Sequence, residues 1–110
     1  LGVEGGDVGN SVLPLALSLM QNYPNPFNPA TTISFDVPGA SGQKQKMRLL
    51  VYDLRGRLVK TLIDSALMPG RHSVAWNGRN EGGERVSSGV YLYMLRCGGK
   101  AYTKKMVMLK

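Results

Sequence analysis

Apolar and polar residues alternate with a period near two over most of this chain, and turn-forming residues interrupt them about every 8–15 positions. A period of two sends successive side chains to opposite faces of a strand, so the pattern predicts an all-β chain with no helical segment. The apolar run Leu13 to Met20 (LPLALSLM) reads as the first strand. Thr31 to Val37 (TTISFDV) places Ile33, Phe35 and Val37 on one face and Thr32, Ser34 and Asp36 on the other, as in a half-buried strand. Met47 to Leu54 (MRLLVYDL) is apolar on both faces, which suits a central strand. Gly56, after Arg55, supplies the positive φ of a tight hairpin, and Arg57 to Asp64 returns as the next strand.

Pro69-Gly70 fits a type II turn, with Gly70 taking the positive φ. Arg71 to Trp76 follows, with His72, Val74 and Trp76 on one side, and Asn77 to Ser88 is the longest loop. Gly89 to Cys97 and Lys100 to Lys110 flank Gly98-Gly99, a two-residue connection that predicts a final hairpin. About seven short antiparallel strands therefore occupy residues 13–110. They suit an immunoglobulin- or fibronectin-like β-sandwich better than a small closed barrel. Trp76 is the expected core aromatic between the sheets. Residues 1–12 (LGVEGGDVGNSV) are Gly-rich and acidic, and read as a linker from an upstream region.

Composition narrows the possible functions. A chain of 110 residues is too short for a TIM barrel or a two-domain enzyme, while 43% hydrophobic residues suffice for a core. No apolar run approaches the roughly 20 residues of a membrane-spanning helix. One cysteine, Cys97, allows no internal disulfide, and one histidine, His72, allows no two-histidine metal site. Cys97 reads as a small packed side chain. The net charge of +7 is polarised: residues 1–42 carry three acids and no base, and residues 43–110 carry 14 bases against four acids. Such a half steers toward acidic partners, although its bases are scattered along strands.

Candidate chemistry is sparse. His72 and Ser73 lack a nucleophile elbow or an orienting partner, so neither is expected to be catalytic. Asn77, Asn80, Glu81 and Glu84 offer oxygen ligands but do not match a calcium-loop template. Tyr91, Tyr93 and Tyr102 with Lys104 and Lys105 have the residue types of a nucleic-acid face, yet tyrosine is also a favoured strand residue. The reading is a chain with no catalytic residue, cofactor, metal or nucleic-acid partner. Gln21 to Pro29 (QNYPNPFNP) is unusual: Pro24, Pro26 and Pro29 forbid helix, remove three backbone donors and make a stiff crossing between strands. Asn25 and Asn28 are expected to bond the local backbone, and Phe27 to anchor the segment as an apolar plug.

A string of motifs in order resembles a known family. It runs through Gln21 to Pro29, Thr31-Thr32-Ile33 and Phe35, then Val51-Tyr52-Asp53-Leu54 and Gly56-Arg57. It continues with Gly70, Trp76-Asn77-Gly78, Ser88-Gly89-Val90-Tyr91 and Lys104-Lys105-Met106-Val107. The chain resembles the type A C-terminal sorting domain of bacterial type IX secretion cargo. That group overlaps in sequence with the immunoglobulin-like domain of the flagellar hook-capping protein. Two positions depart from it: Leu17, where an aromatic is expected, and Asn77, where aspartate is frequent. The resemblance implies a non-catalytic module fused to an upstream cargo domain and carried to the cell surface or the medium. Its implied partners are outer-membrane secretion proteins, a sortase-like peptidase that removes the domain, and surface lipopolysaccharide. It also implies that Gly89, Tyr91, Lys104, Lys105, Val107 and Lys110 are recognition elements. The remaining motif residues, Pro24 to Pro29, Gly56, Gly70 and Trp76, carry the fold. A structural or adhesive immunoglobulin-like module is the alternative.

Overall fold

Two antiparallel sheets face each other in the computed structural model, which describes residues 16–39 and 42–109. Among these residues there are seven strands and no helix: β1 (Ser18–Leu19), β2 (Thr31–Val37), β3 (Gln45–Asp53), β4 (Leu58–Leu67), β5 (Gly70–Trp76), β6 (Gly89–Cys97) and β7 (Lys100–Met108). One sheet has the order β1-β2-β5 and the other β4-β3-β6-β7. The expected immunoglobulin-like sandwich is therefore the observed architecture. The linker expected over residues 1–12 lies outside the described residues.

The period-two alternation becomes the core. Ile33, Phe35, Val37 and Trp76 of the first sheet pack against Met47, Leu49, Val51, Tyr93, Leu95, Met106 and Met108 of the second. Burying each aliphatic side chain of this set stabilises by roughly 1.5–3 kcal/mol. Trp76 is 1% exposed, and its indole N–H donates to the Arg79 carbonyl at 2.9 Å. The Phe27 ring lies 5.8 Å from it and the Tyr91 ring 5.5 Å, the latter edge-on. The doubly apolar β3 is indeed internal, flanked by β4 and β6.

Three local expectations change. Within the described residues the first strand is reduced to Ser18–Leu19, paired with Asp36 and Phe35. The Met20 N–H still donates to the Ser34 carbonyl at 3.0 Å, Asn22 then turns into the interior, and a bridge forms again between Tyr23 and Thr32. The β3-β4 turn is a three-residue loop rather than the tightest hairpin. Gly56 N–H donates to Asp53 C=O at 3.0 Å, Gly56 has φ 86°, and Asp53 and Arg57 close the loop. Gly70 has a positive φ of 129° as expected, but β4 and β5 belong to different sheets, so Pro69-Gly70 is a corner between layers. The final hairpin matches: Gly98 has φ 61° and Cys97 pairs with Lys100 across the two-residue turn.

Candidate functional site

The terminal hairpin β6-β7 carries most of the residues expected to be recognised, and β7 is the outer strand of its sheet. Across the two-residue turn the pairs Cys97–Lys100, Leu95–Tyr102, Tyr93–Lys104, Tyr91–Met106 and Gly89–Met108 face one another. Backbone groups in an antiparallel ladder alternate in direction, so those of residues 101, 103, 105, 107 and 109 point away from β6. Such a row is a template for an added strand unless something covers it.

The proline-rich segment covers its C-terminal part. Gln21 Nε2 donates to the Lys105 carbonyl at 2.7 Å, and the Asn25 Oδ1 accepts the Val107 N–H at 2.9 Å. The Phe27 N–H donates to the Val107 carbonyl, and the Leu109 N–H donates to the Phe27 carbonyl, each at 2.9 Å. Phe27, 2% exposed, fixes this strap to the core, as expected of an apolar plug. Asn25 was expected to bond locally; it bonds β7 instead, because the strap runs beside an edge whose amides need acceptors. Asn28 is exposed. The edge backbone of Ala101 and Thr103 lies beyond the strap's reach.

Five of the six expected recognition residues have a definite place. Lys105 is exposed, Lys104 half-buried beside Met106, and Val107 half-buried on the outer face. Lys110 lies outside the described residues. Gly89 opens β6 with φ 147°, a conformation that L side chains rarely adopt. Tyr91 is not a surface group: it is 6% exposed, its hydroxyl donates to the Ser87 carbonyl at 2.6 Å, and its ring packs on Trp76. Its contribution to any recognition therefore passes through the fold. The ion pairs among the described residues are Lys46–Asp64, Arg57–Asp53, Lys60–Glu81 and Arg71–Asp36. Lys100, Lys104 and Lys105 belong to none of them, so the hairpin presents uncompensated positive charge.

A buried polar network beneath the strap is absent from the sequence expectations. The Tyr93 hydroxyl donates to Met20 C=O at 2.8 Å and accepts Asn22 N–H at 2.9 Å. The Asn22 Nδ2 donates to Thr31 Oγ1 at 2.9 Å and to Pro24 C=O at 3.1 Å. Burial pushes the Tyr93 hydroxyl above its ordinary pKa, opposed by the Asn22 N–H. Thr31 was legible, since it shares the inward parity of Ile33, Phe35 and Val37. A buried asparagine has no linear signature.

The remaining candidates serve structure. His72 stacks on Phe35 at 5.7 Å, and its Nε2 lies 2.8 Å from the Met68 carbonyl. Asn77 Oδ1 accepts Arg79 N–H, Asn80 Oδ1 accepts Glu84 N–H, and Glu81 Oε2 accepts Thr61 N–H at 2.6 Å. The loop oxygens thus face protein donors, and the Glu81 N–H also donates to the Val59 carbonyl, closing the start of the β4 edge. The Cys97 thiol lies 3.4 Å from Gln45 Oε1 and packs against the core.

Two solved structures from Porphyromonas gingivalis are similar in fold. Dimeric latent PorU is 20% identical with a TM-score of 0.67, over 90% of this chain and 10% of that one. PorZ, described as an essential bacterial surface component of the type-IX secretion system, is 20% identical with a TM-score of 0.55, over 99% of this chain and 13% of that one. The chain spans about a tenth of the length of these proteins, and at that identity the likeness is one of fold. No curated protein matches it. The family model for the FlgD Ig-like domain, in contrast, matches residues 25–96, from the middle of the strap almost to the end of β6. The strap from Asn25 onward, internal β3, Trp76 and all but the last residue of β6 fall within that match, and the chain belongs to the FlgD Ig-like domain family.

Proposed function

We propose that this chain is a non-catalytic sorting module of the type A C-terminal kind, borne by an exported bacterial protein and recognised by the outer-membrane type IX secretion machinery. The ordered motif string supports this reading, as does the fold it shares with parts of PorU and PorZ, the latter described as a surface component of that system. The observation that carries it is the terminal hairpin, a sheet edge whose Lys100, Lys104 and Lys105 have no carboxylate partner among the described residues. Uncompensated charge of one sign steers encounter with an acidic partner. Because the strap occupies the edge at Lys105, Val107 and Leu109, recognition there falls to side chains, and strand addition is confined to the Ala101–Thr103 stretch. Gly89 and Tyr91 hold the hairpin in shape, and Lys110 extends the basic series. A sortase-like peptidase then removes the module, leaving the upstream cargo secreted or attached to surface lipopolysaccharide.

Deleting residues 106–110 is a poor test, since Met106 and Met108 are buried in the core. Reversing charge with K104E/K105E in the parent protein is cleaner, with the melting temperature of the isolated domain as the check on folding. Export to the surface or medium should drop at least about tenfold, the scale of one lost charge-assisted contact. Unchanged export would overturn the proposal.

A second reading, a lasting structural or adhesive module, is favoured by the strap itself, which seals most of the terminal edge. Mass spectrometry of the mature surface protein separates the two: a sorting tag is missing from it, and a structural module persists.

A further inference from the structure

Outward positions of an antiparallel sandwich are ordinarily polar, because that face meets water. The four-stranded sheet breaks this rule. Its inward set is Met47, Leu49 and Val51 on β3 and Tyr91, Tyr93 and Leu95 on β6. The opposite face therefore holds Leu50, Tyr52, Leu92 and Met94, in two adjacent rows, Leu50–Met94–Thr103 and Tyr52–Leu92–Lys105. Leu50, though on the outer face, is only 2% exposed, so the neighbouring side chains close over it. Tyr52, Leu92, Met94, Thr103 and Gly56 line a shallow depression there.

Cations border this apolar centre. Arg48 and Arg96 face each other in the next row, two like charges directly opposed, and Lys105 closes the other side. The acid across from Arg48 on β4, Asp64, pairs with Lys46 instead at 3.3 Å. The Arg48 Nε is buried without a hydrogen-bond partner among the described residues.

We propose that this outer face is a docking surface for a protein segment with an apolar centre and an acidic border. Its apolar side chains would fill the depression, and its carboxylates would sit against Arg48, Arg96 and Lys105. Charge decides the occupant. A second copy carries a net +7 and would bring its own Arg48 and Arg96 to the face, where like charges repel. An anionic membrane is the poorer fit, because membrane-binding surfaces insert protruding apolar side chains and this patch is recessed. The surface shares Lys105 with the sorting reading but centres on Leu50, Tyr52, Leu92 and Met94, and its test changes Arg48, Arg96 and Met94, so this inference goes beyond that reading and fails or stands separately from it.

The test titrates the isotope-labelled chain with a short synthetic peptide of alternating Leu and Val flanked by Glu, and with its counterpart bearing Lys in place of Glu. The acidic peptide should bind, with amide shifts concentrated at Leu50, Tyr52, Leu92 and Met94. The R48Q/R96Q variant should weaken it at least about tenfold while leaving the melting temperature near that of the parent chain. M94K, a second and independent change at a partly exposed position, should weaken it as well. Four results would each overturn the proposal: equal affinity for the basic peptide, shifts located elsewhere or absent, a dimer in solution that hides these residues, or tighter binding to phosphatidylglycerol vesicles than to the peptide.

Discussion

Asn25 and Val107, 82 residues apart in the chain, are joined by a 2.9 Å hydrogen bond in which the asparagine carboxamide oxygen accepts the valine amide. The bond ties a loop near the start of the described fold to its last strand. It also removes one donor from the outer edge of β7, beside the strap's bonds to Lys105, Val107 and Leu109.

Replacing Asn25 with alanine should therefore free that amide while leaving the core intact. The expected loss is about 0.5–1.5 kcal/mol, the usual net worth of one such bond. Urea unfolding measures it, and faster hydrogen exchange at Val107 assigns it to this contact. A Val107 amide that exchanges at the parent rate would place the bond elsewhere.

Phe27 and Trp76 form one aromatic unit, their rings 5.8 Å apart. Each alanine substitution alone should cost about 3–5 kcal/mol. Since the two side chains share a cavity when removed, the double variant should cost less than the sum of the singles. Strict additivity in a denaturation cycle would show that the strap is not anchored through this ring pair.

Tyr93→Phe removes the hydroxyl that bridges Met20 and Asn22 and leaves the Asn22 N–H buried without its partner. The expected destabilisation is about 1–3 kcal/mol. The tyrosine also contributes to the alkaline decline. Its folded pKa lies above the ordinary 10.0, so the stability it contributes is full below pH 10.0 and is lost as pH rises toward the folded value. In the phenylalanine variant the alkaline decline should flatten, which a pH series of thermal melts reads directly.

At the acid end three carboxylates act together. Asp53 is held low chiefly by the Arg57 N–H, Asp36 by the Arg71 guanidinium, and Glu81 by the Thr61 N–H. Folded values below the ordinary 3.8 and 4.5 mean that their contribution is present above those values and is lost as pH falls through the folded ones. Asp53→Asn should reduce this acid-limb dependence. Arg57 is exposed and Asp53 half-buried at the surface, so added salt should weaken the Arg57–Asp53 part of the effect.

The sandwich was legible because its core is written in alternation. Thr31 to Val37 and Gly89 to Cys97 begin and end where the pattern says, and Gly98-Gly99 marks the last turn. What escaped was non-local. No spacing tells that Asn22 turns inward to meet Thr31 and Tyr93, or that Asn25 bonds β7 instead of its neighbours. The β3-β4 loop was partly visible, since Asp at the first position and Gly at the fourth, Asp53 and Gly56, are the residues of a type I turn closed by a glycine bulge. At Pro69-Gly70 the residues spell the turn but not the change of layer, because a change of sheet depends on partners that lie outside the local segment. For the candidate site, residue types identified the basic hairpin, but only three dimensions show which of its edge groups are already taken and that Tyr91 faces inward.

Because β7 supplies two core methionines and the strap closes on Leu109, the earlier strands have neither a complete interior nor a covered edge until residues 106–109 are in place. The sandwich is therefore zipped shut from its β7 side, and a shorter piece lacking this strand keeps no finished core.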